Sequence, residues 1–426
     1  MFIRRLFSKT VRDALAVHKH YRRLLAAQRD LLSLEAIGPV QMKLDELSAA
    51  IKEGHKGRMN LKAEELQFAA AEWLKPYPHA VWRENVEVFL VAVAVAMGIR
   101  TFVLQPFKIP TGSMQPTLYG VTSVPDFSRL DYWTANRAKI QAQLQEQIRL
   151  RDTLVIPTGW ERVRQWFAGN SFLELVAKND GELQAIDPPM RFLIFNLKQT
   201  LWIGGVAHTL WFPPDLGDAP PGVSALAIRA GLQVHTEFNP GRFFHQGDTV
   251  VKMCVRAGDH LFVDRVTYNF RPPQRGEIIV FATAGTEIAD QNEFYVKRLA
   301  GLSGERVQIG DDRHLIINGR RLDATTPHFE KVYGFDPARP PAKSRYSGHV
   351  NGAVVQKYDL NPSLAPRFPD AWTVYTNAPG ACLALGDNTC ESQDSRTWGP
   401  VPAANITGRA CFVYWPLTER FGWRNR

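Results

Sequence analysis

The sequence predicts a mostly β protein that carries a helical N-terminal region and one transmembrane helix. Three observations support this fold class. Apolar residues have helical spacing within 1–75, one long apolar stretch occupies 86–104, and short β-branched and aromatic runs alternate with turn residues from about residue 170 onward. The chain has 426 residues, of which 45% are hydrophobic, so two or three domains with packed cores are expected.

Residues 1–80 form the predicted helical region. Leucines recur at i, i+3 and i+4, and Gly38-Pro39 and residues 54–57 are expected to divide the region into two or three helices. Its basic character suits the cytoplasmic face of a membrane. The first residues lack the sustained apolar core of a cleavable signal peptide, so none is expected.

The stretch 86–104 is predicted to be the transmembrane helix. At about 1.5 Å of rise per residue it spans roughly 28 Å, close to a hydrocarbon core of about 30 Å. Glu87 and Arg100 lie near its ends, where long side chains can reach the interface. The uninterrupted apolar run covers only 88–99, however, and that length also suits a buried helix of a soluble domain. The flanking charges do not orient the helix.

After Leu118 the pattern is β-rich, with a polar helix predicted at 134–152 and loops at the Pro-rich stretches 213–221 and 336–342. No internal repeat is present. Strands are predicted at Arg191–Asn196, Val250–Val255, His260–Val266, Glu277–Thr283 and Glu305–Ile309.

The net charge of +9 limits the possible partners. A basic balance is typical of proteins that bind nucleic acid or an anionic membrane surface. The sequence has no zinc-finger spacing, helix-turn-helix signature or RNA-binding aromatic motif, so membrane lipid is the expected partner and nucleic acid is not. The aromatic C-terminal segment 411–424 suits either a bilayer interface or a packed core.

The four cysteines, Cys254, Cys382, Cys390 and Cys411, have no CxxC spacing, so no zinc or other metal site is predicted. A Cys382–Cys390 disulfide and four free thiols are both compatible with this spacing.

Ser113 is the first candidate catalytic residue. It lies in the segment Ile-Pro-Thr-Gly-Ser-Met-Gln-Pro-Thr-Leu (109–118), directly after the apolar stretch. Gly112 allows close approach of a substrate backbone, and Pro110 and Pro116 stiffen the turn. A serine held this way at the edge of a bilayer suggests a nucleophile for membrane-borne substrates, although an isolated loop serine has the same sequence appearance.

Lys297 is the second candidate. On an extended segment Tyr295, Lys297 and Leu299 share one face, while Val296 and Arg298 share the other. Apolar neighbours favour burial, which lowers a lysine pKa and yields a neutral amine able to take a proton from a serine hydroxyl. The alternative is a surface lysine beside Arg298 on an amphipathic strand.

A third segment, Gly386–Gly399, is rich in Gly, Asp, Asn and Ser, a composition typical of turns. Within it, Asp394 and Arg396 are able to form a charge-assisted pair, and Ser392 offers a hydroxyl that could orient another group.

Together these segments resemble the type I signal peptidases, membrane-bound serine/lysine proteases that remove signal peptides. The resemblance covers five blocks in the family's order: the membrane segment through 109–118, then 258–263, 275–281, 295–304 and 385–401. It implies signal-peptidase-like antiparallel sheets, cleavage of exported preproteins through an acyl-enzyme without cofactor or metal, and a single-pass protein of the cell (inner) membrane whose catalytic domain is extracytoplasmic.

The resemblance also implies a role for each matching residue. Ser113 is the nucleophile and Lys297 the general base. The Ser113 amide and the Thr111 hydroxyl hold the oxyanion, Ser392 orients Lys297, and Asp394 and Arg396 support the site. Six further residues fall where the family lines its pockets for small side chains: Phe107, Ile109, Met114, Leu118, Tyr295 and Val296.

The catalytic domain is therefore expected to comprise 105–118 and 258–426. Residues 119–257 form an insertion of unknown role, because the two flanking blocks nearly abut in simpler family members. The long stretch 311–380 and the N-terminal region are also outside the resemblance. Position 111 is often serine in the family, but threonine supplies the same donor.

Two other functions are compatible with parts of the pattern. A non-catalytic, membrane-tethered scaffold would keep the fold, but retention of both Ser113 and Lys297 argues against it. A self-cleaving repressor uses a similar Ser–Lys pair, but it would need a DNA-binding module and no membrane span.

Overall fold

The computed structural model describes residues 9–74, 80–131, 134–192, 195–217, 219, 223–234, 237–238, 242–340 and 346–423. It divides into two compact units, Met1–Val95 and Ala96–Arg426. The helices are α1 (Lys9–Gln28), α2 (Leu34–Glu53), α3 (Lys56–Trp73), α4 (Ala80–Phe102), α5 (Arg137–Thr153), α6 (Gly159–Phe167), α7 (Ala225–Arg229), α8 (Gly352–Lys357) and α9 (Ser395–Trp398).

The strands of the described residues are short and fall within the second unit. They are β1 (Leu104–Lys108), β2 (Thr122–Val124), β3 (Asn170–Val176), β4 (Gly181–Ile186), β5 (Met190–Phe192), β6 (Phe195–Ile203), β7 (Val206–Trp211), β8 (Gln233–Val234), β9 (Glu237–Phe238), β10 (Phe243–Phe244), β11 (Thr249–Arg256), β12 (His260–Asp264), β13 (Ile278–Ala282), β14 (Phe294–Gly301), β15 (Arg306–Ile309), β16 (Leu315–Ile317), β17 (Arg320–Arg321), β18 (Tyr375–Thr376), β19 (Ala381–Leu385), β20 (Val401–Pro402), β21 (Ile406–Trp415) and β22 (Gly422–Trp423).

In the N-terminal unit, α1, α2 and α3 pack on one another around a shared apolar core. Leucines and a methionine on their inner faces are fully buried, as the helical spacing in the sequence predicts. The prediction of a helical N-terminal region is confirmed, apart from residues 1–8 and 75–79, which lie outside the described residues.

The expected helix break at Gly38-Pro39 is wrong. Pro39 lies inside α2, and the chain instead leaves the helix between Gln28 and Leu34. Pro39 is close to the start of α2, so it removes one backbone hydrogen bond, while Val40 and Leu44 beside it stay buried in the core. Packing therefore outweighs the local preference.

The apolar stretch forms α4, which ends two residues before the predicted end at 104. Leu104 already belongs to β1 and is paired with Asp264, and Pro106 favours extended backbone before it. Within α4, Glu84–Phe102 is long and apolar enough to cross a membrane, with a mean hydropathy of 1.6 and no buried share. Length and composition alone support this span.

The main sheet of the second unit has the strand order β1-β12-β21-β13-β14-β19-β20, with β22 added beside β21. Its described pairings are antiparallel. One apolar core lies between this sheet and the segment that follows β1, and it contains Ile109, Met114, Leu261 and Val280. The predicted mostly β fold with antiparallel sheets is confirmed.

Residues 119–257 have a core of their own. It is built from β3, β4, β6, β7 and β11 and includes Leu183, Leu201, Ile203 and Met253, which are 0–1% exposed. The insertion begins at β2 and returns at β11, and these two strands pair with each other, so both of its ends lie together.

One detail of the sequence interpretation needs revision. The single strand predicted at Arg191–Asn196 is the end of β5 and the start of β6, which pair as a hairpin, with residues 193–194 outside the described part. Of the two states left open for the cysteines, the structure has the one without a disulfide between Cys382 and Cys390. Three of the thiols are buried, so they pack as small apolar groups.

Candidate active site

Ser113 lies in a single 3₁₀ turn, Gly112–Met114, which follows β1 after Pro110. The side chain is only 6% exposed. Asn388 anchors the turn through two hydrogen bonds. Its backbone N–H donates to Ser113 O at 3.0 Å, and its Nδ2 donates to Gly112 O at 3.0 Å. Thr111 Oγ1 lies 3.3 Å from Ser113 Oγ. Two hydroxyls are therefore held side by side on a fixed backbone.

Lys297 lies on β14, which is flanked on both sides by strands of the main sheet. Its side chain is buried, and Nζ donates a hydrogen bond to Ser392 Oγ at 3.2 Å. Burial lowers the pKa of Lys297 to about 8, against the opposing charge of Asp394. About a tenth of this amine is therefore neutral at pH 7, far more than for a free lysine, and only the neutral form can act as a general base.

Gly386 separates the serine turn from the lysine's partner. A Cβ at position 386 would lie 2.1 Å from Ser392 Oγ and 2.6 Å from Ser113 O, so only glycine fits. The Ser113 turn also contacts β14. Among the described residues no hydrogen bond joins Ser113 Oγ to Lys297 Nζ. Gly386 lies beside the Ser113 carbonyl and beside Ser392, the residue to which Lys297 donates.

Asp394 and Arg396 form an ion pair that is fully buried, at 2.8 Å between Oδ2 and a guanidinium nitrogen. Arg396 also donates to Thr389 Oγ1 and to the carbonyl of Ser392, while Asp394 accepts the Gly386 N–H at 3.0 Å. Burial acts to raise the pKa of Asp394, but the charge and hydrogen bonds of Arg396, the charge of Lys297 and the Gly386 N–H together outweigh it, so the net shift is downward. The pair therefore fixes the loop that carries Ser392.

The sequence interpretation missed a second buried pair, Arg298 with Asp387. Two guanidinium nitrogens bind the two carboxylate oxygens at 2.7 and 2.6 Å, and Arg298 also donates to Gly276 O. Thr117, four residues after Ser113, donates to the same carboxylate. The sequence analysis placed Arg298 only on the strand face opposite Lys297 and assigned it no partner; the Gly-Asp-Asn run containing Asp387 was the available signal.

The six residues predicted to line substrate pockets fall into two groups. Ile109, Met114 and Leu118 are at most 2% exposed and belong to the apolar core behind the turn. The other three, Phe107, Tyr295 and Val296, are partly exposed on β1 and β14. Their contact with substrate stays a prediction.

Two ion pairs of the described residues join the insertion to the surroundings of the candidate site. Asp215 forms an ion pair with Lys108 at the end of β1. Arg129 lies 3.8 Å from Glu391, which in turn accepts a hydrogen bond from Asn388 Nδ2 at 3.2 Å. Insertion residues therefore approach the Ser113 turn, but in the described structure they add no second serine–lysine pair to it.

The part of the chain that the structure describes contains no cluster of three or more His, Cys, Asp or Glu side chains suited to a metal ion. The groups gathered at the site are hydroxyls, one buried amine and two arginine–carboxylate pairs. Such a set is suited to proton transfer and nucleophilic attack.

Comparison with known proteins gives one family. The profile of "Signal peptidase, peptidase S26" matches residues 82–128 and 246–415, just over half of the chain. The unmatched middle, 129–245, falls within the insertion.

Individual relatives carry the same name. Signal peptidase I of Leptolyngbya laminosa is 33% identical over 170 residues, covering 39% of this chain and 64% of that protein. Signal peptidase I of Bacillus caldolyticus is 30% identical over 165 residues, covering 39% and 74%. That of Pseudomonas fluorescens is 30% identical over 191 residues, covering 39% and 62%. The chain thus spans slightly less than two thirds of the first of these relatives.

Proposed function

Because the chain belongs to the signal peptidase family, peptidase S26, we propose that it is a membrane-bound serine endopeptidase that removes signal peptides from exported preproteins. The observation that carries this proposal is the buried Lys297 on β14, the strand that the Ser113 turn contacts; burial lowers the pKa of its amine to about 8. A buried lysine with no functional role would only destabilise the fold.

In the proposed reaction, Ser113 Oγ attacks the carbonyl carbon of the scissile peptide bond while Lys297 Nζ accepts the hydroxyl proton. The tetrahedral intermediate collapses with release of the amine, which takes a proton from the Lys297 ammonium. A water molecule, deprotonated by Lys297, then hydrolyses the ester and regenerates Ser113. The chemistry requires no metal or nucleotide.

The supporting groups follow from the contacts. Thr111 Oγ1 and the Ser113 N–H are proposed to hold the developing oxyanion, since both adjoin the attacking oxygen. Ser392 is proposed to orient Lys297 through its 3.2 Å hydrogen bond, and Asp394 with Arg396 to hold Ser392 in place. Phe107, Tyr295 and Val296 are proposed to contact the substrate, because they are the exposed members of the predicted pocket set.

We place α4 across the cell (inner) membrane as a single span, with the catalytic unit on the extracytoplasmic side. The support is the exposed apolar surface of Glu84–Phe102 and the two-residue step from this helix to β1. Ser113 then lies close to the bilayer, where the ends of signal peptides are presented.

The direct test is cleavage of a full-length preprotein by the purified chain in detergent or vesicles, with the product's new N-terminus sequenced. Cleavage after a small residue is expected. Failure to cleave any of several preproteins would favour the alternative, a non-catalytic scaffold with the same fold.

The pH dependence of kcat/KM is expected to follow the Lys297 amine. The base must be neutral to act, so the rate should rise with pH through a midpoint near 8 and level off above it. A tenfold loss for each pH unit below the midpoint follows from a single titration. A peptide assay across this range checks the expectation, and a midpoint near the free lysine value of about 10.4 would contradict it.

Thr111→Val is expected to lower kcat by a factor on the order of 10²–10³ with little change in KM, because an oxyanion donor acts mainly in the transition state. Thr111→Ser, which keeps the hydroxyl, is the matched control and should retain most of the rate. An unchanged kcat in the valine variant would exclude Thr111 as the donor.

The insertion is expected to be dispensable for cleavage of a short unstructured peptide. Val124 and Cys254 are paired neighbours on β2 and β11, so a short Gly/Ser linker can replace residues 125–253. Retained peptide cleavage, with any loss confined to full-length preproteins, is the expected result. A folded deletion variant that cannot cleave the peptide would show that the contacts from Arg129 and Asp215 help to build the site.

A further inference from the structure

Helix α6 of the insertion exposes its apolar face. Its sequence, GWERVRQWF, places Trp160, Val163, Trp166 and Phe167 on one side of the helix. These side chains are 78%, 42%, 54% and 45% exposed. A nine-residue helix thus presents three aromatic rings to its surroundings.

The opposite, polar face makes the side-chain hydrogen bonds to the protein. Gln165, of intermediate exposure, donates to Glu161 Oε1 at 2.8 Å, and the Glu161 side chain, itself 45% exposed, is paired with Arg164. Gln165 also accepts from Asn170 Nδ2 at 2.7 Å, and Arg162 donates to Phe172 O on β3 at 3.2 Å. A surface helix of a soluble domain normally buries its apolar face and exposes its polar one, so α6 is inverted.

The exposed face continues onto the end of β21. The Trp166 and Trp415 rings lie 5.2 Å apart, and the backbone N–H of Leu417 donates to Phe167 O at 3.2 Å. Leu417 is 51% exposed. We call this continuous region, formed by Trp160, Val163, Trp166, Phe167 and Leu417, the aromatic surface.

The aromatic surface belongs to the sheet that directly follows the membrane-crossing candidate. Phe102 ends that span and β1 begins at Leu104. β1 pairs with β12 and β12 with β21, and the register places Trp415 opposite His260, which is opposite Lys108 at the far end of β1. With about 4.8 Å between strands and about 3.3 Å per residue along β1, the aromatic surface begins within about 20 Å of Leu104, where the span ends.

The chemistry of α6 suits the lipid interface rather than a protein pocket. Tryptophan rings prefer the headgroup level, where one edge is apolar and the other wet. Arg162 and Arg164 lie on the flank of the same helix and can meet anionic headgroups.

We propose that α6 is an interfacial helix that seats the insertion on the lipid bilayer, with the aromatic surface as the lipid contact. The inference rests on the proposed membrane attachment of the chain and extends it to residues 129–245, which the family profile does not match. The insertion would then lie flat beside the nucleophile turn, and preproteins would reach Ser113 along the membrane.

The test uses the full chain in lipid nanodiscs that contain phosphatidylglycerol. A photoreactive p-benzoylphenylalanine replaces Trp160, Val163 or, on the polar face, Glu161. A fourth variant carries it at Val93, in the membrane-crossing candidate. After illumination, mass spectrometry identifies what each position has bonded to.

We expect lipid adducts at positions 160 and 163 in several-fold higher yield than at position 161. Position 93 is also expected to give lipid adducts. Lipid at 93 with none at 160 and 163 would overturn the interfacial role of α6 while leaving the span intact. Bonding of 160 or 163 to a second copy or another protein would also overturn it. Lipid at 160 and 163 without lipid at 93 would support α6 and reject the proposed span instead.

Discussion

Ser113→Ala and Lys297→Met are each expected to abolish cleavage of both peptides and preproteins. Residues of one catalytic unit act together, so the double variant should be little slower than either single one. Initial rates measured at high enzyme concentration provide the comparison. Substantial activity in either single variant would remove that residue from the mechanism.

The lysine substitution also separates a catalytic role from a structural one. Lys297 has a folded-state pKa of about 8, below its unfolded value, so at pH 7 the native state carries a buried ammonium. The difference between the folded and unfolded pKa of Lys297 corresponds to about 3 kcal/mol of destabilisation of the native state. This destabilisation is relieved only as the pH rises from 8 towards the unfolded pKa. Lys297→Met should therefore be inactive and yet at least as stable as the parent at neutral pH.

Urea denaturation at pH 7 tests this expectation, with Lys252→Met, on a partly exposed strand position, as the matched control. The control should keep both activity and stability. A loss of several kcal/mol in Lys297→Met would assign the lysine to the packing of the sheet, and loss of activity would then be secondary.

Arg396→Met is expected to give the largest loss of stability. Arg396 is completely buried, and its removal leaves the Asp394 carboxylate buried without its charge partner. Removing one member of a buried ion pair typically costs about 3–5 kcal/mol. Activity should fall as well, because the Ser392 carbonyl loses its Arg396 donor, and Asp394, which accepts the Gly386 N–H, loses the arginine that fixes it. Urea denaturation and a peptide assay measure the two effects.

The double variant Asp394→Leu with Arg396→Met separates the unpaired charge from the lost packing. It should recover part of the stability, because no charge is left buried, but not the activity. Arg164→Met, in an exposed pair with Glu161, should leave both quantities unchanged. An Arg396→Met variant as stable as the parent would show that the pair contributes nothing to the fold.

The sequence by itself determined the local features of this protein. Helical spacing predicted the N-terminal helices, and β-branched and aromatic runs between turn residues predicted strands at β11, β12, β13 and β15, because both signals lie in consecutive residues. Ser113 and Lys297 were identified from short motifs with apolar flanks. The burial of Lys297 was indicated by those apolar flanks.

Only the tertiary structure decided how distant segments meet. Arg298 and Asp387 are 89 residues apart, and neither has a local pattern that announces a buried pair. Tertiary packing also places Gly386 between Ser113 and Ser392. It likewise decides which face of α6 is exposed. Local propensity is a property of neighbouring residues, whereas burial is decided by contacts across the whole chain. The burial of the two arginine–carboxylate pairs and the exposure of the aromatic surface are therefore seen only in the folded protein.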